Sequence, residues 1–185
     1  ATAWYHDVLK PHKPLQTWLH EAEEFALGEY AHALLKGSAL TEDERAGVVK
    51  KLSQFTGISE QFIERSNLRI NDQHYFKELL RERGLTVGRL DSRLLGRDRL
   101  GVTEQAEYDP LLTNVLGPYT AAFYEYARGE LKFESDLPYE ILSGFVHPWS
   151  YKEFENSYVH VAETLRAAMT ANPYLKVFVA NGYYD

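Results

Sequence analysis

PLQTWLHEAEEFALGEYAHALLKG, residues 14–37, sets the architecture. Its apolar residues Leu15, Trp18, Leu19, Ala22, Phe25, Ala26, Tyr30, Ala33 and Leu34 recur every three or four positions, the spacing that stacks side chains along one face of a helix. Pro14 stands at the first helical position, where a missing N–H is harmless, and Gly37 follows the last turn. Working outward, Thr41 with Glu44 forms a capping box, and Ala46, Val48, Val49, Leu52 and Phe55 carry a second stripe that Gly57 stops. Ser59 caps a short helix bearing Phe62 and Ile63, and Asn71 caps another through Phe76, Leu79 and Leu80 to Gly84. The first 84 residues read as helix throughout.

Beyond Gly84 the pattern changes. LTVGRLDSRLLGRDRLG, residues 85–101, is punctuated by glycines and keeps no helical face, so residues 85–113 read as irregular chain with room for a hairpin. Gly117-Pro118 opens a further helix with Tyr119, Ala122, Phe123, Tyr126 and Leu131 near one face, and Asp136-Leu137-Pro138 ends it. After the loop-like SGFVHPWSYKEF, Val159, Ala162, Leu165, Ala168 and Met169 define a helix that Asn172-Pro173 breaks. LKVFVA, residues 175–180, has five apolar residues of six and reads as a strand buried on both faces, the habit of parallel sheets. A helix, a turn and such a strand form the second half of a βαβ unit. The expected architecture is therefore a mainly α-helical segment ending in a helix–strand unit, with residues 1–133 as one region and 134–185 as another. One strand cannot make a parallel sheet, and the chain opens on Ala1 and stops just after an apolar run, so it reads as part of something larger.

Composition narrows the function classes. With 27 acidic against 20 basic residues the net charge is −7, and Lys and Arg never form a run able to neutralise nucleic-acid phosphates. No apolar stretch approaches the ~20 residues that span a bilayer, and residues 1–10 lack the apolar core of a signal peptide. Neither nucleic acid nor membrane is expected as a partner. The absence of cysteine excludes disulfides, thiol catalysis and zinc–thiolate sites. Thirteen Tyr, nine Phe and three Trp suit either ordinary packing or a pocket that is apolar in body and polar at its rim.

The chemistry-bearing residues are sparse. His6, His12, His20, His32, His74, His147 and His160 never occur as His-x-x-x-His, so no metal is expected. Glu21, Glu23, Glu24 and Glu29 read as the solvated face of the first helix. Arg81, Arg83, Arg89, Arg93, Arg97 and Arg99 alternate with Glu82, Asp91 and Asp98, which favours intramolecular ion pairs over an anion site. No G-x-S-x-G elbow is present, and Ser38, Ser59, Ser92 and Ser143 sit in turn or cap contexts. Asp185 follows the apolar run through a Gly182 turn, where open parallel sheets gather functional groups, although position alone equally describes an ordinary loop aspartate.

Longer strings carry more. ATAWYH (1–6), NLRI (67–70), KELLRERGLTVGRLDSRLLG (77–96), EYDP (107–110), GPYTAA (117–122), SDLPYEIL (135–142) and NPYLKVFVANGYYD (172–185) together resemble the serine carboxypeptidases of bacterial type, members of the α/β-hydrolase fold. The resemblance runs over almost the whole chain and implies that the helical block to Gly84 is the cap over an active site. It implies that LKVFVA precedes the triad acid and that Asp185, in Gly182-Tyr183-Tyr184-Asp185, is that acid. Trp4, Tyr5, Tyr119, Tyr183 and Tyr184 would line the substrate cleft. The partners implied are a peptide substrate and the rest of the polypeptide, which would bring the nucleophilic serine and the histidine, with no cofactor. An exported location, periplasmic or secreted, is implied as well. Two other readings stand beside this one: a free-standing helical interaction module, and an α/β-hydrolase with esterase or acyltransferase chemistry.

Overall fold

A computed structural model describes residues 1–184. The chain divides into two compact units, Ala1–Tyr119 together with the stretch from Gly182, and Thr120–Asn181. It is mainly helical, as the periodicities require.

In the first unit, α1 (Thr2–Tyr5) leads through a loop to α2 (Leu15–Phe25), which continues through a π turn (Ala26–Tyr30) into α3 (Ala31–Lys36). The π turn explains a departure from the sequence pattern. Phe25 and Tyr30 stack at 5.9 Å although five residues apart, a spacing that an α-helix sends to different faces and a π turn brings together. Trp18, Phe25 and Ala33 are buried while Ala26 is exposed. Helix α4 (Glu42–Thr56) opens with the expected capping box, in which Thr41 Oγ1 accepts from Glu44 N at 3.2 Å and Glu44 Oε2 accepts from Thr41 N at 3.0 Å. It closes at Gly57, which takes the left-handed φ of 74°. Ser59 caps α5 (Glu60–Arg65), Asn71 caps α6 (Asp72–Glu78), and Gly84 turns left-handed after the 3₁₀ turn Arg81–Arg83. The core gathers Trp18, Phe25, Val48, Val49, Leu52, Ile58, Ile63, Leu79, Leu80 and Val87 from these elements. Strands β1 (Thr86–Val87) and β2 (Leu95–Gly96) pair antiparallel, Thr86 opposite Gly96, and supply the hairpin for which the sequence left room.

Helix α7 (Pro110–Tyr124) begins well before Gly117-Pro118 and carries Pro118 inside it. The signal is Asp109-Pro110: Asp109 Oδ1 accepts from Leu111 N at 2.9 Å as a cap, and Pro110 occupies the first helical position.

In the second unit the helical path runs on through a π segment (Glu125–Glu130). A small cluster follows, with Phe123 stacked on Tyr139 at 4.0 Å and the Arg128 guanidinium 4.7 Å from the Tyr124 ring centre. Helix α8 (Ala162–Ala171) ends at Asn172, as the Asn-Pro pair requires. The expected strand is not there. Leu175–Ala180 forms no ladder and all six residues are exposed; the sheet present among the described residues is the two-stranded antiparallel β1–β2. The physical reason is that a strand exists only through neighbours that take up its N–H and C=O groups, and nothing described here lies beside this run to do so.

Candidate functional site

The first unit joins its sequence-distant parts around Ser92. This residue is 2% exposed, and each of its polar groups is engaged. Ser92 N donates to Tyr184 O at 3.0 Å, its hydroxyl lies 2.6 Å from Thr2 Oγ1, and its carbonyl accepts from His6 Nε2 at 2.7 Å. A carbonyl can only accept, so His6 carries its proton on Nε2, and in the neutral ring Nδ1 is the acceptor. The Tyr5 ring meets the Tyr184 ring edge-on at 5.4 Å, and the Arg93 guanidinium sits 5.1 Å from the Tyr184 ring centre. Asp91 holds Arg93 in a fork, with Nε at 2.8 Å and Nη2 at 2.7 Å, and this guanidinium keeps the Asp91 carboxyl below the usual carboxylate range.

Beside this junction opens a cleft of about 730 Å³, walled by Ile70, Tyr75, Phe76, Leu90 and Tyr184, with Thr2 and Ser92 also on its lining. Asp72 and Arg89 bring charge to it. Burial pushes the Tyr75 phenol well above its ordinary range, against a smaller opposing effect from the Ala3 backbone. The junction does not activate a nucleophile. His6 directs its Nε2 proton at the Ser92 carbonyl and the Ser92 hydroxyl is shared with Thr2, so no serine–imidazole proton relay is set up. The arrangement fixes the position of Tyr184 on the lining of the cleft.

Of the aromatics expected at one cleft, Tyr5 and Tyr184 are brought together, and Tyr184 lines the opening. Tyr183, on the same turn, accepts from Gln16 Nε2 at 2.9 Å through its hydroxyl. Trp4 stacks on His12 at 5.5 Å, gives its indole N–H to Lys13 O at 2.7 Å, and does not reach the cleft lining. Tyr119 stands 67% exposed on α7, away from that lining. Asp185 lies outside the described residues. Thr2 and Asp72 were not named by sequence reasoning, which gave His6, Ser92 and Arg89 only structural readings, because their placement depends on contacts made across most of the chain. In the arginine-rich stretch Arg93 pairs with Asp91 as expected, whereas Arg81 pairs with Glu78 and Arg99 with Glu107, carboxylates outside the expected set, and among the described residues Arg83, Arg89 and Arg97 form no ion pair. Among the described residues no His, Asp and Glu gather as a metal site, and no helix is long and apolar enough to cross a membrane.

Comparison with protein-family models, with curated proteins and with solved structures found no match for this chain.

Proposed function

We propose that these 185 residues are the helical cap and the acid-bearing end of the catalytic sheet of a serine-type carboxypeptidase, an enzyme that removes C-terminal residues from peptides. The observation that carries the reading beyond the sequence strings is the condition of Leu175–Ala180. Phe178 is 91% and Val179 80% exposed, in a run with every backbone group free of a ladder. Such a run has the composition of a buried strand without the neighbours that would make it one, and more of the same polypeptide is the natural source of neighbours. The loop that follows it leads to Asp185, where an α/β-hydrolase carries its acid.

In the complete enzyme a serine from another part of the chain attacks the last peptide bond and a histidine transfers the proton. Asp185 holds that imidazole in the useful tautomer and stabilises its charged form. No cofactor enters this chemistry. Tyr5 and Tyr184 face the substrate cleft, and the enzyme works in an exported location.

The test uses chain 1–185 and the longer natural polypeptide side by side. The longer form is expected to release the C-terminal amino acid from a blocked dipeptide and to take up a serine-directed phosphonate, and chain 1–185 to do neither. Asp185→Asn in the longer form is expected to lower turnover by ~10³–10⁴ with the fold retained. Near-normal turnover of that variant, or phosphonate uptake by chain 1–185, refutes the assignment. A helical interaction module is the second reading, favoured by the closed core of the first unit. Labelling of the longer form by the phosphonate excludes it.

A further inference from the structure

We propose that the cleft beside Ser92 binds a free α-amino acid with an aromatic or branched aliphatic side chain, its carboxylate on Arg89 and its ammonium on Asp72. This goes beyond the peptidase reading and holds with or without it.

Three observations meet at this cleft. The first is an unengaged cation. Among the described residues no ion pair or hydrogen bond engages the Arg89 guanidinium, although its backbone is fixed by a bond from Arg89 N to Asp109 Oδ1 at 3.2 Å. The preceding Gly88 is pinned as well, its N–H bonded to Leu94 O at 2.9 Å and its α-carbon so close to Asp91 O that a Cβ would lie 2.6 Å away. The root of the side chain is therefore held while its head is free. The second is an anion without a counter-charge. Asp72 Oδ1 accepts from Gln73 N at 2.9 Å, and among the described residues no cation pairs with the carboxylate. The third is the apolar part of the same lining, formed by Ile70, Phe76, Leu90 and Tyr184.

Opposite charges that line one cleft without pairing define the chemistry of what enters. A simple anion drawn to Arg89 would face the Asp72 carboxylate, and a simple cation drawn to Asp72 would face the guanidinium. A zwitterion satisfies both. The planar guanidinium matches a carboxylate with two parallel N–H donors, and the carboxylate of Asp72 takes an ammonium donor. The apolar wall then accepts a side chain, and the cleft's about 730 Å³ falls inside the span of small-molecule sites.

Isothermal titration of chain 1–185 with L-phenylalanine, L-phenylalaninamide and N-acetyl-L-phenylalanine separates the two charges. Phenylalanine is expected to bind, and each blocked compound to bind about tenfold more weakly, the worth of one charge-assisted contact. Arg89→Gln is expected to bind phenylalanine and its amide equally while still discriminating against the N-acetyl compound. Asp72→Asn is expected to show the converse. Both side chains are exposed, so the fold is expected to tolerate these changes, and the retained half of the discrimination reports an intact cleft. Absence of binding heat for phenylalanine at millimolar concentration overturns the proposal. So does equal binding of all three compounds to the unaltered chain, or a variant that keeps the discrimination it should lose.

Discussion

Lys77 and Asp98 form an ion pair whose side chains are 5% and 1% exposed, which ties α6 to the loop after β2. The ammonium also donates to Leu100 O at 3.1 Å, and Asp98 Oδ1 accepts from Glu107 N at 3.1 Å. Lys77→Met keeps most of the aliphatic stem and removes the charge. Asp98 is then left as a buried carboxylate with a single backbone donor, and the Leu100 carbonyl loses its ammonium partner. Removing one member of a buried pair costs about 3–5 kcal/mol, a large part of the 5–15 kcal/mol that typically holds a domain folded. Urea unfolding followed by tryptophan fluorescence should show a lower midpoint at unchanged slope. Two further variants fix the interpretation. Replacing both residues, Lys77→Met with Asp98→Leu, removes the stranded charge and should recover most of the loss. Lys36→Met breaks the pair with Glu44, whose side chains are 29% and 45% exposed, and should lower the midpoint far less, because water screens an exposed pair. A cost for Lys77→Met no greater than for Lys36→Met would refute the reasoning, because it would mean that water reaches Asp98 and screens it.

Two glycines should respond in opposite directions. At Gly57 an added Cβ would meet Val8 Cγ1 at 2.8 Å with φ at 74°, so Gly57→Ala should destabilise by at least about 1–2 kcal/mol. Gly47 lies inside α4 with nothing within 4 Å of the new atom, so Gly47→Ala should stabilise by up to about 1 kcal/mol, and thermal melts of the two variants that shift the same way would count against both assignments. Tyr75 sets an alkaline limit. Its folded-state value is raised, so the unfolded chain releases the phenol proton first, near pH 10. Stability supported by the buried neutral phenol is complete below about pH 10 and falls as pH rises from there through the higher folded value. Tyr75→Phe should flatten that part of the urea-midpoint profile, and an unchanged alkaline slope would remove the buried phenol as its cause.

How much was legible depended on the reach of each signal. Pro14, Gly37, Thr41 with Glu44, Gly57, Ser59 and Asn71 mark helix ends in the sequence, and the structure begins or ends its helices there, whereas α6 stops at Glu78 and Gly84 closes only the 3₁₀ turn that follows. Capping satisfies N–H and C=O groups from within about four residues, so the residues that decide it lie side by side in the chain. The same kind of signal is present at Asp109-Pro110, but the helix start was read at Gly117-Pro118, because a proline reads alike at a helix start and inside a helix. The π turn that brings Phe25 onto Tyr30 has no local marker; the packing that uses it sets the phase.

Local chemistry thus determined that this chain is mainly helical and where most helices begin and end. Tertiary structure decided the rest. The junction at Ser92 joins residues 2, 6, 92 and 184, and no periodicity in the intervening chain encodes that meeting. The apolar composition of Leu175–Ala180 was plain in the sequence, but a strand is a relation between segments, and a run without neighbours remains exposed chain whatever its composition. Arg89 shows the same division: its charge belongs to the sequence, while its lack of an ion pair among the described residues, at the edge of a partly apolar cleft, is a product of the fold.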